Sequence, residues 1–152
     1  VQELNKLHEL DILLTTLGTQ QTKHSGRTLK KHLWGTFKIL ADKGYSKEVC
    51  LGGLFHSIYG TNFFNTQTTL DRELVKSAIG EQAEYYAYVF SNLSRPECWK
   101  VAGNKLPTRN NTEIEVLEQD QQALKAIEDA NLEEQRARNN SLDFDKYIII
   151  LD

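Results

Sequence analysis

Methionine is absent from the 152 residues, and proline, cysteine and tryptophan occur only twice each. Two cysteines, Cys50 and Cys98, are too few for a disulfide framework or a thiolate zinc site, and they fit a reducing compartment. No run approaches about 18 consecutive apolar residues, which excludes a helical membrane span. Positive charge is not in excess either: 18 Lys and Arg stand against 21 Asp and Glu, a formal charge of -3. A duplex-binding module driven by bulk positive charge is therefore disfavoured, and nucleic acid is not expected as a partner. The opening VQELNKLHEL lacks a basic leader followed by an apolar stretch, so a cytoplasmic location is expected. Because the chain starts at Val1 without an initiator, an upstream targeting segment stays open.

What is present is ordinary for a globular protein, 39% hydrophobic and 26% charged. A chain of this size buries roughly 68% of its unfolded surface, enough for one core and too little for two, so residues 1–152 are expected to form a single domain. Leu4, Leu7, Leu10, Leu14 and Leu17 recur at helical spacing before Gly18. Leu29, Leu33, Phe37 and Leu40 form a second stripe across 28–41, with Lys30, Lys31 and Lys38 turned to water. Ser46 can cap a third helix running to Tyr59, apolar all round through Val49, Cys50, Leu51, Leu54, Phe55 and Ile58. Gly52 and Gly53 inside it each cost about 1 kcal/mol relative to Ala, which implies close approach of another helix or a ligand.

After a polar linker over 61–69, Thr69 or Asp71 can start a helix that ends at Gly80. Glu81 to Leu93 follows, with an aromatic surface of Tyr85, Tyr86, Tyr88 and Phe90 expected to serve core packing, the alternative being a base-stacking platform. Residues 94–111 contain both prolines and read as a long connection with one turn around Cys98 and Trp99. Thr112 with Glu115 forms a capping-box pattern for a last helix running toward Arg138. The terminal DFDKYIIILD is a strand or a docked turn. The expected fold is all-α, a compact bundle of about six helices with a short C-terminal extension.

Three of the four histidines, His24, His32 and His56, fall within 33 residues. Neutral imidazole donates a nitrogen lone pair and is a common metal ligand; the alternative is a hydrogen-bonded polar pocket. His32 borders the Leu29/Leu33 stripe, and His56 lies in GGLFHSIYGT near the end of the apolar helix. This arrangement resembles the HD-domain superfamily of helical metal-dependent phosphohydrolases, and HLWGTFKILADKG with LFHSIYGT is closer still to a small, largely uncharacterised HD-like family. The resemblance implies His32 and His56 as metal ligands, with Ser57 where the superfamily has its aspartate. It implies a later acidic ligand as well, for which Asp120 is the first candidate and Asp129 the competitor. His24 can complete a His24/His32/His56/Asp120 set, and three nitrogens with one oxygen suit a divalent Zn, Fe or Ni better than a magnesium cage, with Mn the further candidate.

Around the histidines, residues 23–47 carry seven basic side chains and one acidic, whereas 113–134 carry eight acidic and Lys125 alone. Solvated faces and intramolecular attraction account for most of this polarisation. Arg27 and Lys31 are candidates for a phosphate or carboxylate contact, as is Arg95 at its loop. His24 is alternatively a general base, while Tyr59 and Thr61 of YGT can pack over and hydrogen-bond a substrate. The resemblance implies hydrolysis of a small phosphorylated metabolite or nucleotide by metal-activated water. The competing expectations are a catalytically degenerate module that binds a small anionic ligand or a partner, other mononuclear-metal chemistry, and a homodimer joined through the aromatic faces.

Overall fold

The computed structural model describes residues 2–20, 23–24, 27–60, 71–136 and 144–147. Helix α1, Gln2–Thr16, buries Leu7, Leu10 and Leu14, while Ile12 between them stays exposed. Two short strands, β1 at Lys23–His24 and β2 at Arg27–Thr28, pair antiparallel, with His24 opposite Arg27. They lead directly into α2, Leu29–Asp42, which is capped by the Thr28 hydroxyl accepting from the Lys31 amide. Leu29, Leu33, Phe37 and Leu40 are fully buried, as the helical stripe requires, and His32 is buried with them.

Helix α3, Lys47–Leu54, starts under the Ser46 cap but stops short of the expected Tyr59. Tight turns replace the last part of the helix: the amides of His56, Ile58 and Gly60 reach back only three residues, to the carbonyls of Gly53, Phe55 and Ser57. Helix α4, Arg72–Ile79, is capped by Asp71 and separated by Gly80, at φ +93°, from α5, Glu81–Asn92. A single 3-10 turn, Glu97–Lys100, forms around Cys98 and Trp99.

The expected capping box at Thr112 is not a helix start. Lys105–Pro107 and Glu113–Glu115 form a hairpin, β3 and β4, with Leu106 opposite Ile114. Thr112 closes its turn instead, exchanging hydrogen bonds with Thr108 and reaching Asn110. Asn111 sits at φ +65°, a left-handed conformation that Asn tolerates better than most residues. Helix α6 therefore runs Glu118–Arg136, and a last short helix, α7, Phe144–Tyr147, packs Tyr147 into the core. The remainder of the terminal apolar run lies outside the described residues.

The architecture is an all-α bundle with two small hairpins. Helix α2 packs on α3 and α6, and α3 packs on α5. Trp34, Tyr86 and Phe90 belong to the core, with Tyr85 and Tyr88 partly buried against it, so this aromatic surface is spent largely on packing. Among the described residues no helix is long and apolar enough to cross a membrane.

Candidate functional site

His32 from α2 and His56 from the turn after α3 meet edge to face, ring centroids 5.2 Å apart, at 0% and 1% exposure. Each imidazole is fixed at Nδ1. His56 Nδ1 donates to the Gly53 carbonyl at 2.7 Å, an acceptor made available where α3 ends. His32 Nδ1 faces the Glu134 carboxylate at 2.5 Å. The two Nε2 atoms then converge on one oxygen, Asn131 Oδ1 of α6, at 2.8 Å from His32 and 3.1 Å from His56. Gln135 Nε2 reaches the same oxygen at 3.3 Å.

The orientation of that amide follows from its other end. Asn131 Nδ2 donates to Glu128 Oε1 at 3.0 Å, and an ionised carboxylate only accepts, so the oxygen must face the histidines. Glu128 in turn takes Arg95 Nη1 at 2.6 Å and Trp99 Nε1 at 3.4 Å. The Arg95 guanidinium lies 4.3 Å over the Phe90 ring, whose centroid is 5.2 Å from that of His56. Burial pulls the Arg95 pKa below its usual value, against the opposing pull of Glu128.

Arg27, leaving β2, covers Glu134 from the other side. Its guanidinium donates to both carboxylate oxygens and to the Glu134 carbonyl at 2.7 to 3.0 Å. With Lys43 and Glu133 paired at 2.9 Å, the basic segment and acidic helix of the sequence are joined across α2 and α6.

A third buried carboxylate, Glu84 of α5, is met by Tyr59, three residues beyond His56 in the chain. Tyr59 donates to Glu84 Oε2 at 2.8 Å, and Arg72 grips both oxygens of Glu84 at 2.8 Å while stacking 3.6 Å over Tyr88. Burial first, and the bond to Glu84 second, push the Tyr59 phenol well above its ordinary range. Tyr59 is thus a buried donor held by a carboxylate.

The later acidic ligand expected at Asp120 is not in this cluster. Asp120 lies eleven residues before Asn131 on α6, about 16 Å along the axis, and meets Tyr86 at 3.3 Å and Gln82 at 3.5 Å. Asp129 is exposed and paired with Lys125 at 2.6 Å. Arg27 is engaged by Glu134 rather than presented to a ligand, and Lys31 is exposed on α2. Ser57, the residue standing where the resemblance implies an aspartate, follows His56 and is buried at 3%. For His24 only the backbone is described, in the hairpin that precedes α2; its side chain and Thr61 lie outside the described residues.

Residues 13–95 match the model of a family described as a domain of unknown function, DUF6817, and that match spans more than half of the chain. The chain belongs to the DUF6817 family. No curated protein and no solved structure matches it. The DUF6817 segment contributes His32, His56, Arg27, Tyr59, Arg72 and Glu84, whereas Asn131, Glu128 and Glu134 come from α6 beyond it. None of the three is among the ligands that the sequence resemblance implies. Their signal was positional: Glu128, Asn131 and Glu134 recur on the buried face of α6 beside Leu124 and Ile127, where a polar residue needs a partner.

Proposed function

We propose that this chain is an HD-like metal-dependent hydrolase of a small phosphorylated metabolite or nucleotide, with the metal held by His32, His56 and Asn131. The observation that carries the reading is the convergence of two anchored Nε2 atoms on an amide oxygen whose direction is set by Glu128. Histidines that bind metals usually commit the other ring nitrogen to a carbonyl or carboxylate, as both do here. A ring whose Nδ1 donates and whose Nε2 carries no proton turns a lone pair toward Asn131 Oδ1, and a cation among the three atoms would relieve that arrangement. Two nitrogens and a neutral oxygen suit Zn, Fe or Ni better than Mg, whose sites are built from carboxylates, with Mn the further candidate.

A divalent metal there supplies an acidified water and polarises a phosphoryl oxygen. The protein supplies the rest. Glu134, clamped by Arg27, orients His32 and strengthens its donor nitrogen; Glu128, clamped by Arg95, orients Asn131; Phe90 and the α3 end hold His56. His24, carried on the adjoining hairpin, is the proposed further ligand or base.

A second reading rests on how the charges around the centre are already met. Arginines neutralise Glu128 and Glu134, Ser57 is uncharged, and His56 already closes the end of α3, so the polar centre also suits an HD-like module that binds a small anionic ligand without turnover. Both readings take the protein to work in the cytoplasm; the hydrolase reading does not require a homodimer, which sedimentation over a concentration range tests.

The deciding experiment is elemental analysis of protein purified without an affinity metal, together with the His56→Ala and Asn131→Leu variants. Near-stoichiometric metal in the wild type, lost in both folded variants, supports the metal centre. No bound metal and no stabilisation on titration with Zn, Fe, Ni or Mn overturns it in favour of the binding module. Hydrolysis of a phosphomonoester panel, dependent on the recovered metal, then tests the reaction.

A further inference from the structure

At the end of the hairpin formed by β3 and β4, Arg109 occupies the turn from Thr108 to Asn111. Its backbone amide donates to the Asn92 carbonyl at 2.9 Å, and Asn111 N closes the turn on Thr108 O at 3.3 Å. Leu93 bridges Thr108 alongside, so the base of the side chain is fixed against the end of α5. The guanidinium is partly buried, yet among the described residues its Nε, removed from solvent, has no hydrogen-bond partner, and Arg109 makes no ion pair. This distinguishes it from Arg27, Arg72 and Arg95, each of which meets a buried carboxylate.

Arg95, whose side chain is 2% exposed, is taken up by Glu128, which also binds Asn131, so that carboxylate is not offered to Arg109. Burial pulls the Arg109 pKa down. A guanidinium nitrogen withdrawn from water is costly unless an acceptor takes its hydrogen. A guanidinium fork fits the oxygens of a phosphate, and a main-chain anchor reduces the ordering that binding must impose.

We propose that Arg109 anchors a phosphate-binding subsite formed by the β3–β4 turn against the end of α5. It requires no metal, so it stands or falls apart from the hydrolase reading. The ligand chemistry is a tetrahedral oxyanion, either free phosphate or the phosphate group of a larger metabolite.

The test is thermal unfolding and calorimetric titration of the full chain, stripped of metal by chelation, with inorganic phosphate and with a ribose monophosphate. Sodium chloride at matched ionic strength is the control. The wild type is expected to gain thermal stability with phosphate beyond the chloride control, and Arg109→Gln to lose at least tenfold in phosphate affinity, with Arg109→Lys between them. Tighter binding of the monophosphate than of inorganic phosphate assigns the subsite to a metabolite; equal binding assigns it to the free ion. Without phosphate, Arg109→Gln is expected to melt at or above the wild-type temperature, because it removes a partly buried cation. A wild type that responds to phosphate only as to chloride, a Gln variant that binds phosphate as the wild type does, or one that melts lower without ligand each overturns the proposal.

Discussion

Glu128 accepts the side-chain amide of Asn131 across one turn of α6 and thereby decides which end of that amide faces His32 and His56. Replacing the amide by a second carboxylate removes the donor and sets two anions together at a site where Asn131 is 5% and Glu128 4% exposed. Loss of one partner of a buried hydrogen bond costs about 1–3 kcal/mol, more where charge is involved. Asn131→Asp is therefore expected to lower metal-free stability by about 3 kcal/mol in urea unfolding, with zinc restoring part of it. An unchanged midpoint without metal shows that Glu128 does not govern the amide.

The Arg27 and Glu134 pair offers a separate test of how the centre is held. Glu134 is fully buried, while the Arg27 side chain is 23% exposed. Removing one member of a buried ion pair costs about 3–5 kcal/mol because the other charge is left behind, and the partial exposure of Arg27 places the effect at the lower end. Arg27→Met should cost about 3 kcal/mol, and adding Glu134→Leu should recover only part of it, because His32 Nδ1 loses its acceptor along with the carboxylate. A double-mutant cycle in denaturant measures this; additive losses exclude the pairing as the source of stability.

Periodicity sufficed for the buried stripe of α2 and for the core face of α1, since Leu29, Leu33, Phe37 and Leu40 report the helical period directly. What it lacked was the chemistry of the partners: an acidic residue was sought to meet the histidines, whereas the inward position holds an amide and the nearby carboxylates are matched to arginines. Asp120 was attractive by residue type, yet Tyr86 and Gln82 meet it at the other end of α6. The Thr112/Glu115 pattern failed for a related reason. The Thr108, Asn110 and Thr112 side chains satisfy one another in a hairpin turn, and such local competition is invisible to spacing.

Cys50 and Cys98 are buried thiols, both pushed up to about 12, chiefly by desolvation. The thiolate is the reacting form, so neither should be labelled by a disulfide reagent in the folded protein at pH 8, and both should react on unfolding. The sign for stability follows: a thiol that ionises near 9 when unfolded and near 12 when folded favours the native state at lower pH, and that contribution falls as pH rises from 9 toward 12. A Cys50→Ala, Cys98→Ala double variant should lose less stability over that window than the wild type. Rapid labelling of either thiol in the native state contradicts its burial.

The paired glycines of α3 should respond unequally to alanine, because different things stand opposite them. A Cβ on Gly52 would lie 2.9 Å from Tyr86 Cβ and 3.3 Å from the Ala83 carbonyl, atoms on or next to the α5 backbone that move only if the helix moves. A Cβ on Gly53 would meet Leu40 Cδ1 at 2.4 Å, a closer approach but to the end of a side chain that can change rotamer. Alanine gains about 1 kcal/mol of helix propensity at either position. Overpacking a filled core costs typically about 1–3 kcal/mol, so Gly52→Ala should be net destabilising by about 1–2 kcal/mol and Gly53→Ala close to neutral. Urea midpoints of the two variants give the ranking directly. The reverse order would make Leu40, locked among fully buried neighbours, the rigid wall and α5 the one that yields.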